Sequence, residues 1–132
     1  MIDFFCRTWL SAPGEVGAAV KIALTSGYKH IDCAACYGNE REIGVAFKEY
    51  FASPGASKRE DVYVVSKLWV KNFSTVRESC QKTMKDLQLD YLDLYLIHLP
   101  FEVEPNHPTV CPDAATGAGQ IGYSVERINV ST

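Results

Sequence analysis

Apolar residues recur along this chain with two alternating periods. From Glu15 to Ser26, the residues Val16, Ala19, Val20, Ala23 and Leu24 share one helical face, and Gly27 ends the run. Lys29 to Ala34 is short and apolar around Ile31, which predicts a strand. Asn39 to Phe51 returns to helical spacing with Ile43, Ala46, Phe47 and Tyr50, and Ser53-Pro54-Gly55 closes it as a loop. Asp61 to Leu68 carries the run Val62, Tyr63, Val64, Val65, the signature of a buried strand. Ser74 is placed to cap a helix whose inner face holds Val76, Cys80, Met84 and Leu87. Leu92 to Leu99 reads as another buried strand, and the residues up to Thr8-Trp9 as a first one. Strand, helix, strand, helix, strand implies a parallel α/β sheet with right-handed crossovers.

After Pro100 the texture changes. Residues 101–122 hold Pro105, Pro108, Pro112, Gly117, Gly119 and Gly122, which predicts a long irregular loop within a domain spanning 1–132. Ser124 reads as the N-cap of a further helix, and the chain stops at Thr132 before that helix completes two or three turns. The 132 residues suit one compact domain and fall short of a whole α/β barrel, which takes about 250.

Four polar residues fall where strands end: Asp32, then Tyr37 five residues on, then Lys67, then His98. In a parallel barrel, side chains at the carboxyl ends of strands build the active site. A phenol ionises only near pH ~10, and a neighbouring ammonium favours its anion. Tyr37 can then act as general acid, tuned by Lys67, which Asp32 anchors, while His98 orients a carbonyl oxygen. Each residue alone has a blander use: Asp32 in a turn, Tyr37 in packing, Lys67 in solvent, His98 as a core histidine. Their joint placement favours chemistry.

The run Gly27-Tyr28-Lys29-His30-Ile31-Asp32-Cys33-Ala34, followed by Tyr37-Gly38-Asn39-Glu40 and Ile43-Gly44, resembles the aldo-keto reductase signature. Arg59-Glu60-Asp61 leading into Val65-Ser66-Lys67-Leu68-Trp69 is similar to that family's lysine strand. Leu89 to His98 is similar to its histidine strand. The resemblance covers about Thr8 to Pro100 and implies the first four βα units of a (β/α)8 TIM barrel. It implies an oxidoreductase that reduces aldehydes or ketones to alcohols with NADPH, using the tetrad Asp32, Tyr37, Lys67 and His98. It places Thr8, Trp9 and Asp32 at the cofactor, and His98, Trp69 and Trp9 at the substrate. Phe5-Cys6-Arg7 stands where the family carries glycine, and Leu99 where it carries tryptophan. No segment matches the second half of the barrel, so the chain is expected to hold the cofactor weakly and to work poorly alone. The alternative is a catalytically inactive truncated isoform or fragment, acting at most as an interaction protein. Half a barrel leaves two free strand edges, so self-association is also expected.

The remaining features narrow the class. With 16 acidic and 13 basic residues the net charge is −3, and no basic patch recurs, which excludes nucleic acid as the expected partner. No run of ~18 apolar residues predicts a membrane span, and no signal peptide is evident. Five cysteines at irregular spacing then read as reduced thiols in a cytoplasmic protein. Cys33-Ala34-Ala35-Cys36 has the form of a redox CxxC but interrupts the Asp32–Tyr37 spacing. His107 and Cys111 are too irregularly placed to complete a metal site. His30 shares parity with Asp32 and is expected to be a hydrogen-bonded interior residue.

Overall fold

In the computed structural model of the chain, residues 5–101 are described. Four strands form one sheet in the order β1-β2-β3-β4. They are β1 (Phe5–Arg7), β2 (His30–Asp32), β3 (Tyr63–Leu68) and β4 (Leu94–Ile97), with α1 (Val16–Thr25), α2 (Glu40–Phe51) and α3 (Val76–Leu87) between them. Every neighbouring pair is parallel, and Arg7, Asp32, Val65 and Leu94 stand in one register row. Beyond Phe101, the irregular loop expected up to residue 122 and the helix expected from Ser124 lie outside the described residues.

The helical layer covers one face of the sheet. Val16, Val20 and Leu24 of α1 and Ile43, Ala46, Phe47 and Tyr50 of α2 enclose a core with Ile31, Cys33, Val62, Val64 and Leu87. Alternation along the strands sends Ile31 and Val64 into that core and turns Asp32 the other way. α1 ends as its sequence predicts. Gly27 takes φ +92°, its N–H bonds to Leu24 O, and the Tyr28 N–H bonds to Ala23 O. This paired closure needs a left-handed residue, which glycine supplies without steric cost.

Several positions differ from the sequence reading. Ala19 is exposed, and Gly17 is buried in its place. The reason lies in α2: the Glu42 carboxylate accepts hydrogen bonds from the Gly14 and Gly17 N–H groups and covers the first turn of α1. Ser74 does not cap α3, because a 3₁₀ turn over Phe73–Thr75 precedes the helix. Val76 is exposed, and the fully buried residues of α3 are Thr83 and Leu87. The Leu92–Leu99 run, expected to be buried, gives β4 with Leu94 and Leu96 40% exposed and Ile97 62% exposed. β4 pairs only with β3 among the described residues, so its apolar side chains meet solvent.

Candidate active site

Sequence reasoning expects four side chains to meet at the carboxyl ends of the strands, and the structure brings them together. Asp32 is the last residue of β2, and Lys67 is the penultimate residue of β3. His98 directly follows β4, its N–H bonded to Leu68 O. Tyr37 ends a 3₁₀ turn, Ala35–Tyr37, between β2 and α2. Gly38, at φ +69°, then turns the chain into α2.

Lys67 is the hub. Its ammonium donates to Asp32 Oδ1 at 2.5 Å and to Cys33 O at 2.8 Å, and lies 5.2 Å from the centre of the Tyr37 ring. The pair is largely withdrawn from water, with side chains 14% and 18% exposed. A lysine satisfied this way is fixed in position against the phenol ring.

Aromatic rings surround the hub. His98 meets Tyr37 edge-on at 5.6 Å, Trp69 meets His98 edge-on at 5.3 Å, and Trp9 lies 6.5 Å from Tyr37. Arg7 sits 5.8 Å over Trp9. Burial pushes the His98 imidazole below its ordinary value, the Lys67 charge adds to this, and Asp32 opposes it. The imidazole Nδ1 is buried without a hydrogen-bond partner.

Thr8 follows β1 directly and is buried, with its hydroxyl donating to Asp32 O at 2.9 Å. Trp9 is 43% exposed and forms an open wall beside Tyr37. All seven residues singled out in the sequence thus belong to one cluster: Thr8, Trp9, Asp32, Tyr37, Lys67, Trp69 and His98.

Other expectations change. His30 lies between the rings of Phe5, at 5.8 Å, and Tyr63, at 5.3 Å, in a row of register partners. Cys33 is a free, buried thiol. Burial, then the charges of Glu40 and Asp32, push it well up, which disfavours the thiolate that redox exchange needs. Cys6 and Cys80 are also free. No group of three or more metal-binding side chains occurs among the described residues, and no helix there is long and apolar enough to cross a membrane.

Two supporting residues, part of the signature in the sequence, were given no role there. Asn39 Nδ2 donates to Thr8 O at 2.7 Å, tying the Tyr37 turn to the end of β1. Glu40 is buried, and its carboxyl accepts from the Ser66 and Thr83 hydroxyls at 2.6 and 3.2 Å. The only signal was their position just after Tyr37-Gly38.

The chain is similar to known proteins. The chain is 59% identical over 98 residues to aldose reductase B of Dictyostelium discoideum, covering 73% of this chain and 31% of that protein. It is 54% identical over 99 residues to the human aldo-keto reductase family 1 member A1, covering 74% of this chain and 30% of that protein. It thus spans about a third of the length of these curated relatives. Its fold matches the aldose reductase of Schistosoma japonicum with a TM-score of 0.74 at 50% identity, over 79% of this chain and 35% of that one. The aldose reductase of Giardia lamblia matches with a TM-score of 0.73 at 50% identity, over 76% and 34%. These neighbours give the sheet its larger setting, the TIM-barrel fold. The Aldo/keto reductase family model matches residues 5–124, and the chain belongs to that family.

Proposed function

We propose that this chain carries the acid–base centre of a carbonyl reductase that converts aldehydes or ketones to alcohols with NADPH. The observation that supports it most is Lys67, bonded to Asp32 at 2.5 Å and set 5.2 Å from the Tyr37 ring, with His98 on the ring's other contact. A reduced nicotinamide supplies the hydride when bound. Tyr37 gives its phenolic proton to the carbonyl oxygen as that oxygen gains negative charge, and recovers it from water afterwards. Lys67 steadies the phenolate left behind, and Asp32 holds Lys67 in place. The His98 imidazole donates a hydrogen bond that orients the carbonyl.

The residues fit the reacting end of such a cofactor. Trp9 offers an exposed ring face beside Tyr37. Asn39 Oδ1 and His98 Nδ1 are buried polar atoms still lacking partners. Thr8, Trp9 and Asp32 would hold the nicotinamide end, and His98, Trp69 and Trp9 the carbonyl substrate.

NADPH titration followed by its fluorescence, with turnover of a generic aldehyde, tests this reading. Tyr37→Phe is expected to keep cofactor binding and lower turnover by roughly 10²–10⁴-fold. Aldehyde reduction by Tyr37→Phe at the unmodified rate overturns the role of Tyr37. A chain that binds NADH in preference to NADPH overturns the choice of cofactor.

The β4 surface favours a second property, self-association. Leu94, Leu96 and Ile97 are exposed on a strand that pairs on one side only among the described residues. Unpaired backbone groups beside apolar side chains recruit further strands. Sedimentation is expected to show association that grows with concentration, and a concentration-independent monomer refutes it.

A further inference from the structure

Ser66 and Lys67 are neighbours on β3 and therefore face opposite sides of the sheet. Lys67 faces the candidate active site. Ser66 is fully buried on the helix side, where its hydroxyl donates to Glu40 Oε1 at 2.6 Å. Glu40 opens α2, three residues after Tyr37. Its second oxygen accepts from Thr83 Oγ1 of α3 at 3.2 Å. One carboxyl thus joins the segment bearing Tyr37, the back of the strand bearing Lys67, and the helix behind both.

A carboxyl is a costly tie at such a place. The residue is 4% exposed, and burying a carboxyl without a cationic partner opposes folding. Packing alone would be met by an apolar side chain of similar volume, often at no loss of stability. Two directional hydrogen bonds give what an apolar contact does not, a fixed separation between the elements that make them. At its start this segment is tied to β3 by the Cys33 N–H to Val65 O and by Lys67 to Cys33 O, both at 2.8 Å, and Asn39 to Thr8 O ties it to β1. Glu40 adds a tie to β3 at its far end, beyond Tyr37.

We propose that Glu40 is a positioning residue, which sets Tyr37 against Lys67 by bolting the start of α2 to the back of β3 through Ser66. It touches neither substrate nor cofactor. The inference rests on the Tyr37–Lys67 pairing of the proposed function, and the test separates the two.

The full chain is labelled with tyrosine carrying ¹³C at Cζ, and the Tyr37 signal is identified by its loss in Tyr37→Phe. Lys67→Met removes the ammonium and is expected to move that signal. Glu40→Leu is expected to move it in the same direction while the amide spectrum of β1 and β2 keeps its folded dispersion. Glu40→Gln keeps an acceptor for Ser66 and a partner for Thr83, and its signal is expected to stay with the wild type. Ser66→Ala removes one arm of the bolt, gives an intermediate shift, and serves if Glu40→Leu does not fold. Where turnover is measured, Glu40→Leu lowers kcat by up to about 10²-fold and leaves the KM for NADPH unchanged.

A Tyr37 signal that moves in Lys67→Met and stays put in both folded Glu40→Leu and Ser66→Ala overturns the positioning role alone. A signal that ignores Lys67→Met overturns the pairing itself.

Discussion

Two carboxyl groups lie back to back across β3, and their settings differ. On the candidate active-site side, Asp32 faces an ammonium at 2.5 Å. On the helix side, Glu40 accepts its hydrogen bonds from hydroxyls. An ion pair fixes its lysine in place. The hydroxyl pocket asks no charge of its carboxyl. Burial pushes Glu40 above the ordinary carboxylate value, while the Ser66 and Thr83 hydroxyls hold it back. The same functional group serves electrostatics on one face and geometry on the other, and the neighbour decides which.

The sharpest way to break this contrast is to remove the ammonium. Lys67→Met strands a largely buried carboxylate, and the expected loss of stability in urea is about 3 kcal/mol or more. The double variant Asp32→Asn/Lys67→Met is expected to lose less than Lys67→Met alone. A double variant as unstable as the single would show that the stranded charge is not the cause.

On the helix side the next largest effect is steric. A Cβ at Gly44 would stand 2.2 Å from Asp86 O and 2.8 Å from Leu87 C, both backbone atoms of α3 that cannot swing aside. Gly44→Ala is expected to cost about 1–3 kcal/mol by forcing α2 and α3 apart. At Gly17 the nearest atom is 3.4 Å away on the flexible Glu42 side chain, so Gly17→Ala is the milder control. Equal unfolding midpoints for the two variants would contradict the close approach of α2 and α3 at Gly44.

The smallest effect is the pH dependence that Glu40 contributes. Unfolded, Glu40 releases its proton near the ordinary 4.5, whereas the folded chain holds that proton to higher pH. Its contribution to stability is therefore full below that value and lost as pH rises through the raised one. Asp86 strengthens this by repulsion, and Lys82 weakens it. Glu40→Gln is expected to remove this part of the pH slope in urea titrations. An unchanged slope would mean that Glu40 is ionised alike in both states.

Much of the active-site face was legible because its residues are polar where strand ends call for apolar ones. Asp32, Lys67 and His98 interrupt apolar runs, and their order matches the order of strands. The hydroxyl pocket was not legible. Glu40 at a helix start reads as an ordinary first-turn acid, and Ser66 and Thr83 as fillers. Their meeting depends on α2 and α3 closing over β3, which no local period encodes. The exposure of β4 escaped for a related reason. A continuous apolar run looks the same whether a strand is covered on both faces or lies at an edge. Ala19 was misread because Glu42, distant in sequence, covers the neighbouring Gly17 instead.

That borrowed cap on α1 has a consequence for how the molecule opens. Glu15, at the N-cap position of α1, makes no side-chain cap of its own. The first turn of α1 is closed by Glu42, on a helix that begins more than twenty residues later. α1 therefore cannot keep its beginning intact while α2 is undone. Hydrogen exchange at the Gly17 amide is expected to report the opening of α2 as much as that of α1, as for one cooperative unit.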